Sequence, residues 1–166
     1  MADSIPTLRP AERPQDNDAI WAIMEPVIRE GATYPLDPQL GRDDGLAYWF
    51  APDKQVFVAE EDGRVLGTYY LKPNSTGLAD HVANGGYMTH PDARGRGVAS
   101  TMARDSFARA KAAGYHAMQF NLVIATNEQA VRLWQKLGLQ VAGRLPEAFR
   151  HKRLGLTDAL VMYRLL

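Results

Sequence analysis

The sequence contains no cysteine. A disulfide framework, a cysteine-ligated zinc site and a thiol nucleophile are therefore excluded. A charge imbalance is also missing, because 19 lysine and arginine residues offset 19 aspartate and glutamate residues. Such a chain offers no broad basic face, so nucleic acid is not an expected partner.

Long apolar runs are absent as well. No run approaches the roughly 20 residues that a membrane-spanning helix needs. The stretch 1–6 lacks the basic segment followed by an apolar one that marks a secretory signal. We therefore expect a cytoplasmic protein with no membrane partner. The 166 residues show no repeat or linker, which predicts a single domain, 1–166.

The order of predicted elements favours an α/β class with a mixed sheet. Helices are expected to begin at residues 16 and 126 and to span 43–50 and 98–113. Strands are expected at 5–9, 55–60, 64–71, 81–89, 115–122, 140–145 and 159–165. Three strands in succession before strands and helices alternate argue against a fully parallel sheet. The segment between the last two strands, rich in Arg and His, is expected to be a loop.

A glycine-rich junction organises the chain. Arg94-Gly95-Arg96-Gly97 separates the strand that ends at Thr89 from the helix that begins at Val98. A helix N-terminus presents unpaired backbone N–H groups and the positive end of the helix dipole. Glycine lets a phosphate group approach that backbone closely. The junction therefore predicts a phosphate site, with a solvated surface turn as the alternative.

A dinucleotide-binding fingerprint is the nearest competing motif. The stretch 95–100 is nearly G-x-G-x-x-G, but Ser100 replaces the third glycine. The glycines do not directly follow the strand, and Phe120 and Asn121 stand where a ribose-binding carboxylate is needed. This interpretation is rejected.

The motif 94–99, Arg-Gly-Arg-Gly-Val-Ala, resembles the Q/R-x-x-G-x-G/A signature of the GNAT N-acetyltransferases. A second block, from Asn127 to Leu137-Gly138-Leu139, follows about thirty residues later. The resemblance covers most of the chain. It implies the GNAT fold, a mixed and mostly antiparallel sheet of about six or seven strands, flanked by about four helices and splayed at the fourth and fifth strands.

The same resemblance implies acetyl-CoA as the cofactor and no metal. Loop amides would hold the pyrophosphate, and the backbones of Met88 and Thr89 would contact the acetyl and pantetheine portion. The implied cofactor-binding residues are Met88, Thr89, Arg94, Gly95, Arg96, Gly97, Val98, Ala99, Asn127 and Trp134. Gly85 and Gly86 interrupt the preceding strand, which suggests a bulge or a close approach. They are expected to give that strand the freedom to splay.

Acetyl transfer needs a neutral amine, donors for the oxyanion and a departing thiolate. Many family members place an acidic Tyr where this chain has Trp134, so either the thiolate leaves unassisted or another residue serves. The expected catalytic residues are Asn84, Tyr87 and Asn121. No carboxylate lies in the strand 81–89, so Asn84 is expected to orient the substrate or a proton-accepting water.

The run 121–127, with Trp134 and Leu137-Gly138-Leu139, resembles more specifically the fungal acetyltransferases of proline analogues such as azetidine-2-carboxylate. That likeness implies that Asn84 and Asn121 orient the substrate, while Asn127 bonds the pantetheine arm. Asn127 also suits a helix start. Tyr34 and Arg150 are further expected substrate contacts, since Arg150 can bind a carboxylate bidentately.

We thus expect direct acetyl transfer, within a ternary complex, to the amine of a small molecule such as an amino acid. Acetylation of a protein N-terminus or lysine is one alternative. A non-catalytic acyl-CoA-binding protein is another, motivated by Trp134 and the missing carboxylate. Dimers are common in the family, so a homodimer stays open.

Overall fold

The computed structural model describes residues 5–166. Most of the stretch 1–6, in which no secretory signal was expected, therefore lies outside the described residues. Within that range the chain forms seven strands and four helices. They are β1 (Thr7–Pro10), α1 (Asn17–Glu30), α2 (Arg42–Trp49), β2 (Gln55–Glu61), β3 (Arg64–Pro73), β4 (Val82–Thr89), α3 (Val98–Ala112), β5 (Ala117–Ile124), α4 (Glu128–Lys136), β6 (Gln140–His151) and β7 (Gly155–Leu165). Short 3₁₀ turns occupy Gly77–Ala79 and Pro91–Ala93.

All seven strands join one sheet in the order β1-β2-β3-β4-β5-β7-β6. Every neighbouring pair is antiparallel except β4 and β5. These two pair only at Val82 with Ala117 and at Ala83 with Met118, and then diverge. The expected mixed, mostly antiparallel sheet, splayed at its fourth and fifth strands, is confirmed.

Helices cover both faces of the sheet. On α1, Ile20, Ile23, Met24 and Val27 are buried at the i, i+3, i+4, i+7 spacing of one helix face. They pack with α2 and with one face of β2 to β4, whereas α3 and α4 pack on the opposite face. The two layers hold β4 between them. The helix α1 continues through Pro26 without being split.

The last hairpin differs from its prediction. The expected loop between residues 145 and 159 was wrong, because β6 continues to His151 and β7 already begins at Gly155. The register of β6 shifts near Gly143 and again before Phe149, and Glu147 has a φ of 53°. These irregularities interrupt the alternation of apolar residues that identifies a strand. β6 is also an edge strand and is mostly exposed.

The predicted strands 55–60 and 64–71 are confirmed, and they pair as a hairpin. Asp62 and Gly63 connect the two strands with φ angles of 49° and 76°. Positive φ at both positions is typical of the type I′ turn that Asp-Gly favours. In residues 5–166, no helix has the length and apolar character needed to cross a membrane.

Candidate active site

A cleft of about 780 Å³ opens where β4 and β5 diverge. One end is formed by the glycine loop and the start of α3. The opposite end, here called the acceptor end, is lined by Tyr34, Tyr48, Tyr70 and Asn84. The cleft therefore joins an anion-binding helix terminus to an aromatic compartment through the gap in the sheet.

The glycine loop is shaped to bind an anion. Gly95 and Gly97 both have a φ of +78°, and a Cβ on either would meet nothing within 4 Å. Glycine is thus required by the left-handed backbone, while the space in front of the loop stays open. In the described part of the chain, five backbone N–H groups here have no acceptor: those of Gly95, Gly97, Val98, Ala99 and Ser100. This donor set fits a pyrophosphate.

The two loop arginines face different surroundings. Arg94 lines the cleft and lies 3.6 Å from the carboxylate of Glu30, which also lines it. Arg96 lies 2.5 Å from the carboxylate of Glu61 and does not line the cleft. Of the two predicted cationic contacts, the structure therefore brings Arg94 to the site and places Arg96 outside it.

The helix α4 adds two basic residues that the sequence analysis missed. Arg132 and Lys136 line the cleft. Their spacing of four puts both on one side of the helix, where they can approach a phosphate-bearing ligand. This i, i+4 pattern on the polar face of α4 was the available signal.

The glycines of β4 form no bulge but allow a close approach. Gly85 and Gly86 pair in regular register with Leu71 and Tyr70, so the expected bulge was wrong. A Cβ on Gly86 would lie 2.6 Å from both Tyr34 Oη and Tyr70 Cε1. A Cβ on Gly85 would lie 2.9 Å from the hydroxyl of Tyr87. The expected close approach is confirmed: these glycines make room for tyrosine rings on both faces of β4.

The register of β4 decides which backbone groups face the cleft. His90 N–H bonds Leu66 O, and Asn74 N–H bonds Val82 O. Because residues of an antiparallel pair alternate, the even-numbered residues of β4 direct their backbone groups to β3. Gly85, Tyr87 and Thr89 direct theirs to the diverging side. The backbone groups of Met88, an expected contact, therefore face β3, and those of its odd-numbered neighbours face the cleft. The Met88 side chain is buried under α1 and α2.

Three aromatic rings, those of Tyr87 on β4, Phe120 on β5 and Trp134 on α4, form one wall of the cleft. The centroid of Trp134 lies 5.1 Å from that of Tyr87 and 4.8 Å from that of Phe120. The indole N–H of Trp134 has no acceptor among residues 5–166, although every fully buried side-chain N or O atom there has a partner. The N–H is therefore not fully enclosed. Trp134 lines the cleft, and its N–H is free to donate.

The three predicted asparagines line the cleft but differ in their bonds. Asn84 Oδ1 accepts from the N–H of Gly85 at 2.7 Å. The side-chain NH₂ group of Asn84 therefore remains available to a ligand in the acceptor end. Asn121 is exposed and donates to Asn74 Oδ1 at 2.8 Å. Asn127 caps α4 by accepting from Ala130 N–H at 3.4 Å, which confirms its structural role.

Comparison with known proteins places this geometry in a family. Residues 20–139 match the acetyltransferase (GNAT) family. The chain belongs to this family. It is 31% identical over 151 residues to the N-acetyltransferase aca1 of Schizosaccharomyces pombe, an alignment that covers 81% of this chain and 72% of that protein.

Solved structures agree with this assignment. A GCN5-related N-acetyltransferase from Kribbella flavida is 38% identical and superposes with a TM-score of 0.90, covering 96% of this chain and 97% of that one. The protein yncA of Salmonella typhimurium, solved with its cofactor acetyl-CoA, is 24% identical with a TM-score of 0.84, covering 98% of this chain and 95% of that one. This likeness concerns the fold alone. The predicted enzyme class, N-acetyltransferase, is confirmed, and acetyl-CoA is confirmed as the cofactor of the family.

Two further predicted contacts of this GNAT site have different positions. Tyr34 lines the acceptor end, and its hydroxyl lies 3.4 Å from the carbonyl oxygen of Tyr87. Arg150 is exposed on β6 and does not line the cleft. Its predicted place in an overhanging loop does not exist, because β6 and β7 pair at this position.

Acidic groups are scarce in the GNAT cleft. Glu30 is the one carboxylate among the described residues that line it, and Arg94 lies beside it. Burial raises the pKa of Tyr34 and of Tyr87 above the usual range of a phenol. In residues 5–166, no three potential metal ligands lie close enough to hold an ion. The protein thus lines its acceptor end with neutral groups.

Proposed function

We propose that this chain transfers the acetyl group of acetyl-CoA to the amine of a small molecule, namely an amino acid or an analogue such as azetidine-2-carboxylate. The observation that carries the proposal is the acceptor end itself. The hydroxyl of Tyr34 and the ring of Tyr70 both lie directly on Gly86, and Tyr48 completes the aromatic lining. A compartment of this shape suits a compact acceptor better than a protein segment.

The cofactor would be held along the whole cleft. The unpaired N–H groups at 95–100 would bind the pyrophosphate, with Arg94, Arg132 and Lys136 as nearby positive charges. Asn127 and Trp134 would line the path of the pantetheine arm. The diverging backbone of β4 would add hydrogen bonds in the manner of an extra strand. When bound, acetyl-CoA supplies its acetyl group as a thioester.

Transfer would proceed by direct attack of the acceptor amine on the thioester carbonyl, with coenzyme A leaving as its thiolate. The chain has no cysteine that could carry the acetyl group. The backbone N–H of Tyr87 or Thr89, unpaired on the diverging side, would stabilise the oxyanion. The carboxylate of Glu30 is paired with Arg94 and would not serve as the base. The amine would instead lose its proton to a water molecule that Asn84 orients. Without a protein base, the rate should rise with pH until the acceptor amine is fully neutral.

The first test is a thiol-release assay with acetyl-CoA and a panel of acceptors. The panel contains free amino acids including azetidine-2-carboxylate and proline, simple amines and short peptides. Turnover confined to small amino acids is expected. Turnover on peptides alone would move the function to protein acetylation. Tight binding of coenzyme A without any turnover would indicate a non-catalytic acyl-CoA-binding protein.

A further inference from the structure

Lys54 lies against the outer side of the acceptor end. Its Nζ is 3.5 Å from the ring centroid of Tyr48 and 4.4 Å from that of Tyr70. It also donates to the carbonyl oxygen of Tyr48 at 2.6 Å. Both rings line the cleft. An ammonium group is therefore held behind the rings that line the acceptor end.

This ammonium group has no carboxylate partner among the described residues. The neighbouring Asp53 pairs instead with Lys72 at 2.8 Å. Two lysines and one aspartate leave one positive charge unbalanced at this end of the cleft. Lys72 also faces Asn84 across the β3–β4 ladder, so the charged cluster adjoins the proposed acceptor contact.

The surroundings make that charge costly. Burial, with a smaller contribution from the charge of Lys72, lowers the pKa of Lys54 to about 8. Asp53 opposes the shift only in part. A half-buried cation without a counter-ion is unfavourable, and an incoming anion would relieve it. Two opposite charges on either side of one ring still attract each other, because the ring keeps water from the space between them.

We infer that Lys54 selects acceptors that carry a carboxylate by supplying the positive charge at the acceptor end. This inference rests on the proposed function and gives it a specificity-determining residue. Lys54 replaces Arg150 in this role: neither residue lines the cleft, but Lys54 contacts two rings that do, whereas Arg150 is exposed on β6. A simple amine, which has no carboxylate, gains nothing from Lys54.

The test compares Lys54→Met with the wild type on matched acceptors. Azetidine-2-carboxylate, proline and alanine are each assayed beside their carboxamides. At pH 7, the substitution should lower kcat/KM for the acids about tenfold, as expected for the loss of one opposite charge on the far side of a ring. The carboxamides should be unaffected, and so should the Kd of coenzyme A. Lys54→Arg should keep most of the preference, and Lys111→Met, at an exposed site on α3, is the control.

The pH dependence separates a charge effect from a packing effect. The ratio of wild-type to Lys54→Met kcat/KM cancels the deprotonation of the acceptor amine. Lys54 is charged below its pKa of about 8. The ratio for the acids should therefore be largest below pH 8 and fall towards one above it. The groups facing Lys54 from α2, β3 and its own turn, Tyr48, Tyr70, Lys72 and Asp53, are the same in both proteins.

The outcomes distinguish this inference from the function on which it rests. Equal losses on acids and carboxamides, or a ratio independent of pH, would overturn the role of Lys54 and leave the acetyltransferase function intact. If Lys54→Met misfolds and loses coenzyme A binding, Lys54→Gln takes its place in the test. A preference for acids that is unchanged in Lys54→Gln would overturn the inference. Failure of the wild type to acetylate any acceptor would overturn both.

Discussion

The phenolic oxygen of Tyr87 lies 2.7 Å from Oγ of Ser106. Ser106 Oγ in turn lies 2.7 Å from the carbonyl oxygen of Ala103. A carbonyl only accepts, and serine has one proton, so Ser106 donates to Ala103 and Tyr87 donates to Ser106. The Tyr87 hydroxyl therefore connects β4 to α3, and its proton is used in the hydrogen bond to Ser106. Burial raises its pKa as well.

Replacing Tyr87 with Phe tests whether this hydroxyl also has the catalytic role expected from the sequence. The ring remains, so the wall with Trp134 should persist. We expect the free energy of unfolding to fall by about 1 kcal/mol, the usual worth of such a hydrogen bond. Stability is measured by urea denaturation and kcat by thiol release. Ser106→Ala is the matched variant. A loss of kcat above about a hundredfold, with unchanged coenzyme A affinity, would instead establish proton transfer by Tyr87.

The packing over Gly86 gives a prediction for the acceptor end. Ala at this position must displace Tyr34 and Tyr70, because its Cβ would lie 2.6 Å from atoms of both. We expect Gly86→Ala to lower the free energy of unfolding by about 1–3 kcal/mol and to raise the KM of the acceptor, with little change in the Kd of coenzyme A. Gly143→Ala is the control, since nothing lies within 4 Å of its Cβ. Equal acceptor KM values in the two variants would contradict the tyrosine-lined compartment.

The glycine loop gives a prediction for the cofactor. Gly97 and Gly114 have φ angles of +78° and +92°, both with open space at the Cβ position. Valine at either should therefore cost a similar conformational strain of about 1–2 kcal/mol. Gly97→Val alone should raise the Kd of coenzyme A, by more than about tenfold, because its side chain blocks charged hydrogen bonds. Calorimetric titration of both variants is the measurement. Similar Kd values in the two would remove the phosphate role of the loop.

Trp134 gives a prediction that can be tested without knowing the acceptor substrate. Its ring lines the cleft, whereas Trp49 is fully buried and donates to Thr68 at 3.0 Å. Binding of coenzyme A should therefore change the tryptophan fluorescence, and Trp134→Phe should abolish most of that change. Because Phe keeps a ring but lacks the N–H, the variant should also bind coenzyme A several-fold more weakly. Trp49→Phe serves as the comparison. A fluorescence change that survives in Trp134→Phe would place the cofactor elsewhere.

Features set by neighbouring residues were predictable from the sequence. The Asp62-Gly63 turn, the loop at 94–97 and the cap at Asn127 each depend on a short segment whose chemistry is local. The course of β6 was not predictable, because an exposed edge strand with two irregularities loses its apolar alternation.

Features set by register or by distant contacts could not be predicted. The sequence indicated that the end of β4 contacts the cofactor. Only its pairing with β3 shows that Tyr87 and Thr89, and not Met88, turn their backbone groups to the cleft. Lys54 and Tyr70 are likewise brought together by the pairing of β2 with β3. The local sequence around Lys54 does not indicate that Tyr70 lies beside it.

The brief pairing of β4 with β5 has a consequence for how the molecule meets other chains. Four strands on one side and three on the other are joined through two residue pairs. Exposed sheet edges invite foreign strands and so promote aggregation. Here the interrupted hydrogen-bond ladder lies inside the protein, between α3 and α4 on one side and the α1–α2 loop on the other. An extended pantetheine arm is narrow enough to enter the gap and complete the ladder, whereas the sheet of another protein is too wide. The open edge that serves the ligand is therefore protected from pairing with a second copy of the chain.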